Sequence, residues 1–194
     1  MKTDIILAGV GGQGILSIAT VIASAALADN LFLKQAEVHG MSQRGGDVQS
    51  NLRISDKPIA SDLIAYGQAD IIVSLEPMEA LRYTPYLSKE GWIVTNTTPF
   101  INIPDYPSIS EIDSELMNYP NVVAFDMDSV AKEVASPRSS NMVLLGAATP
   151  FLGIEPEKLE EGIKTIFGRK GDAIIESNLK AFNAGLQRAR EVIK

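Results

Sequence analysis

Cysteine is absent from the 194 residues. That excludes disulfides, thiolate metal sites, iron–sulfur clusters and a cysteine nucleophile within this chain. Histidine is scarce: His39 stands alone, which excludes a multi-histidine metal site. If the chain takes part in redox chemistry, the electron carriers belong to a partner or to a bound cofactor. Excess positive charge is missing too, with 17 Lys and Arg against 24 Asp and Glu and a net charge of -7. A nucleic-acid backbone needs a cationic surface, so nucleic acid is not an expected partner. A local basic pocket for a small phosphorylated ligand is still compatible with that balance. No window approaches the roughly 20 apolar residues of a membrane span. Met1-Lys2-Thr3-Asp4 leads straight into a short apolar run without the features of a signal peptide. A cytoplasmic protein with no membrane partner is expected.

What is present is apolar and ordered. Hydrophobic residues make up 45% of the chain, enough for a sizeable core in one domain spanning residues 1–194. Asp4 to Val10 reads as a buried parallel strand, and residues 14–28 as a largely buried helix stopped by Asp29-Asn30. Leu31 to Val38 reads as a second strand. In residues 47–54, Val48, Ser50, Leu52 and Ile54 share one face, and Asp47, Gln49, Asn51 and Arg53 the other. This alternation predicts a half-exposed strand, antiparallel or near an edge. Pro58 to Ile64 is expected to return as a short strand. Further strands are expected at 70–75, 91–96 and 121–125, with helices between them. The remainder is helical, ending in a helix over 172–193 with an apolar stripe through Ile175, Leu179, Phe182, Leu186, Ala189 and Ile193. The pattern implies an α/β fold: a doubly wound, mostly parallel but mixed sheet, with a Rossmann-like first βαβ unit and a helical C-terminus.

Two stretches carry chemistry. The first is Gly9-x-Gly11-x-x-Gly14, directly after a strand and before a helix. In that context Gly9 permits the tight turn, Gly11 lets a ligand approach the backbone, and Gly14 allows close packing of the helix. The helix N-terminus then offers N–H groups to an anion. Two readings stay open, close packing alone or phosphate binding. A dinucleotide site would also want an acidic residue about 20 positions on, and Glu37 is roughly placed. The second stretch is His39-Gly40-Met41-Ser42-Gln43-Arg44-Gly45-Gly46. It should leave the carboxyl end of the second strand, beside the glycine turn, at the edge where α/β sheets bind ligands. Arg44 could clamp a phosphate or carboxylate in a fork, or serve only as a surface ion pair.

The glycine turn, the stretch from Glu37 to Gly46, and Asn141-Met142-Val143-Leu144-Leu145-Gly146 together resemble the gamma-type domain of 2-oxoacid:ferredoxin oxidoreductases, including the beta subunits of the indolepyruvate branch. The likeness runs along essentially the whole chain. It implies a subunit that is inactive alone and part of an enzyme that oxidatively decarboxylates a 2-oxoacid with coenzyme A and reduces ferredoxin. Thiamine diphosphate and iron–sulfur clusters would then lie in a larger alpha subunit. This chain would hold no cofactor of its own, beyond a contact with coenzyme A. The isolated chain is open to forming a homodimer. The residues carried over are Gly9, Gly11, Gly12, Gln13 and Gly14 in the turn and His39, Gln43, Arg44, Gly45 and Gly46 in the loop. No catalytic acid or base and no metal ligand is assigned. Two competing readings remain at this point: a free-standing NAD-dependent dehydrogenase, and a non-catalytic nucleotide-binding or regulatory module.

Overall fold

The computed structural model describes residues 1–39 and 45–193. Among them, strands β1 (Lys2–Val10), β2 (Phe32–His39), β3 (Asp47–Ser55), β4 (Ala69–Ser74), β5 (Leu87–Asn96) and β6 (Val122–Phe125) form one sheet in the order β2-β3-β1-β4-β5-β6. β1, β4, β5 and β6 pair in parallel, while β3 pairs antiparallel with both β1 and β2. The helices are α1 (Ile15–Ala28), α2 (Pro77–Arg82), α3 (Ile109–Leu116), α4 (Met127–Val134), α5 (Ser140–Ala148), α6 (Pro156–Phe167) and α7 (Asp172–Val192). Ile5 and Leu7 of β1 join the apolar cluster under α1 and α4–α7. Ile6 and Ala8 join the one under α2 and α3. A strand covered on both faces must be apolar on both, which is why β1 reads as a continuous run.

The opening unit departs from a simple βαβ. The chain leaves β1, crosses through α1 and returns as β2 in the same direction, but two places away. β3 folds back by a hairpin and fills the gap, making the sheet mixed. α1 stops where expected. Asn30 adopts a left-handed φ of 57°, and the Asn30 and Leu31 amides donate to the Leu27 and Ala26 carbonyls. That is a complete Schellman motif.

Two expectations need correction. The alternation in β3 is present, but its polar face is not exposed: Gln49 and Asn51 are buried. The cause is the stretch from Pro58 to Ile64, which is not a strand but an irregular segment lying over that face. Asn51 accepts from the Ile64 amide at 3.1 Å. Arg53 donates to the carbonyls of Ser61 and Leu63 at 3.0 and 3.1 Å, and forks onto fully buried Asp4 at 2.7 and 2.9 Å. Polar residues were needed there because the covering chain has no strand partner for its own backbone groups.

On the other side of the sheet, α5 and α7 meet without side chains between them. A Cβ placed on Gly146 would lie 1.9 Å from the Phe182 carbonyl oxygen, and one on Gly185 would lie 1.9 Å from the Val143 carbonyl oxygen. The α7 stripe docks through Phe182, Leu186 and Ala189, with Ile175 and Leu179 packed at the border of the core. Ile193 falls off its end, 40% exposed. Among the described residues no helix is long and apolar enough to cross a membrane.

Candidate functional site

The glycine turn is braced by its own glutamine. Gln13 Oε1 accepts from the Val10 amide at 2.7 Å, and Nε2 donates to the Leu75 carbonyl at 3.3 Å. One side chain thus ties the end of β1 to the end of β4. Gly9 leaves room for it, since a Cβ there would sit 2.9 Å from Gln13 Oε1. Gly14 caps α1 in the left-handed region at φ 86°, and its carbonyl accepts from Asn141 Nδ2 at 3.3 Å. A Cβ on Gly14 would meet that amide nitrogen at 2.8 Å. The close packing expected of Gly14 is therefore against the start of α5. Gly12 differs from both: at its Cβ position there is open space.

Gly11 joins the turn to the second loop. Its N–H donates to the Gly46 carbonyl at 2.8 Å, and its carbonyl accepts from the Gly45 N–H at 3.3 Å. The structure thus brings together Gly11, Gly45 and Gly46, and the close backbone approach at Gly11 is made by the loop. Asn102 Nδ2 fixes the Gly45 carbonyl from the far side at 2.7 Å. Gly40, Met41, Ser42, Gln43 and Arg44 lie outside the described residues, as does the side chain of His39, whose backbone pairs with Val48.

Beside the turn, over the carboxyl ends of β1, β4 and β5, a pocket of about 450 Å³ opens. This is the position where open α/β sheets take ligands. Gly12 and Gly14 form one wall and Arg138 with Asn141 another. Asn96 and Asp128 form the floor and are fully engaged. Asn96 Nδ2 donates to Asp128 Oδ2 at 3.1 Å, Asn96 Oδ1 accepts from the Met127 amide at 2.9 Å, and Ser140 Oγ donates to Asp128 Oδ1. Asp126 caps α4, while Asp128 sits in its first turn and closes the floor. α1 has neither a side-chain cap nor an acidic residue in its first turn. Its partial positive charge therefore faces the pocket, where the Asp128 carboxylate on the floor is already held by Asn96 and Ser140. Arg138 is exposed and makes no salt bridge among the described residues. The site thus offers a helix N-terminus and a guanidinium to an anion. Arg138, Asn96 and Asp128 were not foreseen, because no spacing marks them; Asn141 opens one of the quoted motifs.

An apolar rim borders this edge. Phe100, Ile101 and Ile103 are 44%, 70% and 43% exposed. They are held in place from below by Glu76, which is fully buried. Its carboxylate accepts from the Phe100 amide at 3.2 Å, from the Glu79 amide at 2.8 Å and from the Tyr106 hydroxyl. Burial and that carboxylate push the Tyr106 hydroxyl above its usual range.

The family described as pyruvate ferredoxin/flavodoxin oxidoreductase matches residues 4–188. The chain belongs to this family. It is 36% identical over 200 residues to "Indolepyruvate oxidoreductase subunit IorB" of Pyrococcus horikoshii, covering 98% of this chain and 97% of that protein. The IorB subunit of Archaeoglobus fulgidus is 37% identical, covering 97% and 96%. Among solved structures, a keto/oxoacid ferredoxin oxidoreductase gamma subunit from Geobacter sulfurreducens matches with a TM-score of 0.71 and 27% identity, over 97% of this chain and 99% of that one. The 2-oxoglutarate:ferredoxin oxidoreductase of Magnetococcus marinus, solved with 2-oxoglutarate, coenzyme A and succinyl-CoA, matches with a TM-score of 0.77 and 25% identity. That match covers 98% of this chain and 31% of the longer one.

In this chain the sheet order gives a physical reason against reading the glycine turn as a dinucleotide fingerprint. A ribose-binding acid belongs on the strand next to the glycine turn. Glu37 lies on β2, opposite Ser50, with β3 between it and β1. At about 4.8 Å per strand, it stands roughly 10 Å from β1, one strand further than that acid should be. Among the described residues, no three His, Cys, Asp or Glu side chains gather where they could hold a metal ion.

Proposed function

We propose that this chain is the smaller, beta-type subunit of a cytoplasmic enzyme that oxidatively decarboxylates an aryl 2-oxoacid of the indolepyruvate type with coenzyme A and reduces ferredoxin. The observation that carries the choice of substrate is the ordering of its relatives. Four indolepyruvate oxidoreductase subunits are 34–37% identical to it over nearly their full length. The subunits named for 2-oxoglutarate, pyruvate or ketoisovalerate are 28–31% identical. The chain acts as a single gamma-type domain over residues 1–194. With no cysteine it can ligate no thiolate-held cluster; iron–sulfur clusters and, as the family resemblance implies, thiamine diphosphate belong to a larger alpha subunit. What this chain supplies is a surface: the glycine turn, Gly45 and Gly46 of the second loop, with His39, Gln43 and Arg44 on the same loop, and the apolar rim.

The pocket fits the phosphate end of coenzyme A. Gly12 leaves the backbone open, α1 presents its N-terminus, and Arg138 adds a charge-assisted donor. Arg138→Ala is expected to raise the KM for coenzyme A about tenfold, the loss of one hydrogen bond to a charged group, while leaving the KM for the 2-oxoacid unchanged. Equal effects on both substrates would remove coenzyme A from this pocket.

The apolar rim is the docking face for the larger subunit. Ile101→Asp places a charge in that contact and is expected to weaken association about a hundredfold, as for a buried aliphatic anchor. Titration of the variant against the partner by calorimetry reads this directly. The proposal as a whole is tested by reconstitution. The chain with its larger subunit should give arylpyruvate- and coenzyme A-dependent reduction of an electron acceptor, and the chain alone should give none. Failure to co-purify, or nucleotide binding without turnover in any combination, would instead make it a regulatory module.

A further inference from the structure

A ring of hydrogen bonds closes around the pocket beside the glycine turn. Gln13 Nε2 donates to the Leu75 carbonyl at 3.3 Å, and Asn96 Nδ2 reaches the same oxygen at 3.5 Å. Asn96 Nδ2 also donates to Asp128 Oδ2 at 3.1 Å, and Ser140 Oγ donates to Asp128 Oδ1. Asn141, the next residue, returns to the turn through the Gly14 carbonyl at 3.3 Å. The ring thus runs from the ends of β1, β4 and β5 to the starts of α4, α5 and α1. Gly12 and Arg138 belong to the two walls that it joins. One member is out of place by charge. Asp128 lines a pocket whose other features suit an anion. A carboxylate there repels the ligand, and a partly buried site screens that repulsion poorly. Its place in the first turn of α4 favours a negative charge, but Asp126 already supplies one there and caps the helix through the Ser129 amide at 2.9 Å. What Asp126 does not supply is a link from β5 to α5.

We infer that Asp128 is a positioning residue: by holding Ser140 against Asn96 it sets Arg138 and Asn141 at the distance from the glycine turn at which both walls reach one phosphate group. This rests on the reading of the pocket as a coenzyme A site. An ionised carboxylate only accepts hydrogen bonds, so Asp128 offers nothing to the phosphate itself and acts through Ser140. The start of α5 depends on that bond. Its N-cap, Ser139, makes no side-chain cap, and the other acceptor near Ser140 Oγ, the Pro137 carbonyl, is 3.4 Å away and belongs to the same turn as Arg138. A wall fixed before the ligand arrives loses little freedom on binding, and this gain in affinity outweighs the repulsion that the carboxylate brings.

The test uses the chain reconstituted with its larger subunit and reads the KM for coenzyme A beside the KM for the 2-oxoacid. Charge and position predict opposite signs for Asp128→Ala. Removing a negative charge alone would lower the KM for coenzyme A. Losing the link should raise it about tenfold, the scale of one charge-assisted hydrogen bond, with the KM for the 2-oxoacid unmoved. Asp128→Asn separates the two. Its Oδ1 accepts from Asn96 and its Nδ2 donates to Ser140 Oγ, whose proton turns to the Pro137 carbonyl. The link survives without the charge, so the KM for coenzyme A should return to the wild-type value or below. Ser140→Ala breaks the link with the charge in place and should raise that KM as Asp128→Ala does; it decides the matter alone if Asp128→Ala does not assemble. A KM that falls or stays level in Asp128→Ala, an equal rise for both substrates, or an Asn variant as impaired as the Ala one would overturn the inference while Arg138→Ala still raises the KM for coenzyme A. If Arg138→Ala has no effect either, the pocket reading falls and this inference with it.

Discussion

Gly146→Ala is expected to lower the melting temperature by roughly 10 °C, from about 3 kcal/mol of lost stability in a chain of this size. A single methyl has this effect because of what it meets. The added Cβ would lie 1.9 Å from the Phe182 carbonyl oxygen and 2.8 Å from the Leu186 amide nitrogen. Both are backbone atoms of α7, so no rotamer change relieves the contact and the helix itself must move. Moving α7 off α5 opens the core around Phe182, Leu186 and Ala189. Gly185→Ala should behave alike, because its Cβ meets the Val143 carbonyl from the other side. Gly168→Ala is the control. Its backbone is at φ -53° and nothing lies within 4 Å of the Cβ position, so the change should be neutral or stabilising by about 0.5 kcal/mol. Calorimetric scans of the three variants decide the matter. A loss of only a degree or two at Gly146 would mean that the two helices separate at little cost.

The second large effect is on the opposite face of the sheet. Arg53→Met is expected to cost about 3 kcal/mol, the lower end for breaking a buried pair, because Lys2 remains 2.7 Å from Asp4. The pH dependence separates this from simple loss of packing. In the wild type, burial pushes the Asp4 carboxyl up, but Arg53 and Lys2 outweigh it and hold the group below its ordinary range. A carboxyl lowered by folding contributes stability above its unfolded titration and loses it as pH falls through the folded one. Without Arg53, burial dominates and the carboxyl rises. The deficit of the variant is therefore largest at neutral pH and narrows in acid, where Asp4 is neutral in both proteins. Urea midpoints at neutral and acid pH measure it. A deficit that stays constant would assign the loss to the contacts Arg53 makes with Ser61 and Leu63.

Local pattern was legible where one element answers to its own burial. Apolar runs mark β1 and β4, and Asp29-Asn30 marks the end of α1. What was hidden depends on segments far apart in the chain. The column Asp47, Gln49, Asn51 and Arg53 alternates as an exposed face would, because polar side chains that meet water and those that hold a covering loop are the same residue types. Nothing near Pro58 announces that the following stretch lies on this column instead of pairing. Arg138 follows a proline in no motif and acquires meaning only when α5 sets it across from Gly12. The glycines from 9 to 14 were legible as a tight turn, yet their separate tasks, room for Gln13, pairing with Gly46 and contact with Asn141, required the fold.

The insertion of β3 between β2 and β1 has a consequence for how this family can vary. Because β2 and β3 form a hairpin in register from Phe32 opposite Ser55 to His39 opposite Val48, the second loop begins and ends on neighbouring strands. The strand pairing runs up to the loop on both sides, so one hairpin carries it, and Gly11 meets it through Gly45 and Gly46. Transplanting the corresponding loop of a 2-oxoglutarate-type relative onto this chain is thus a change of one hairpin, made without redesign of the core.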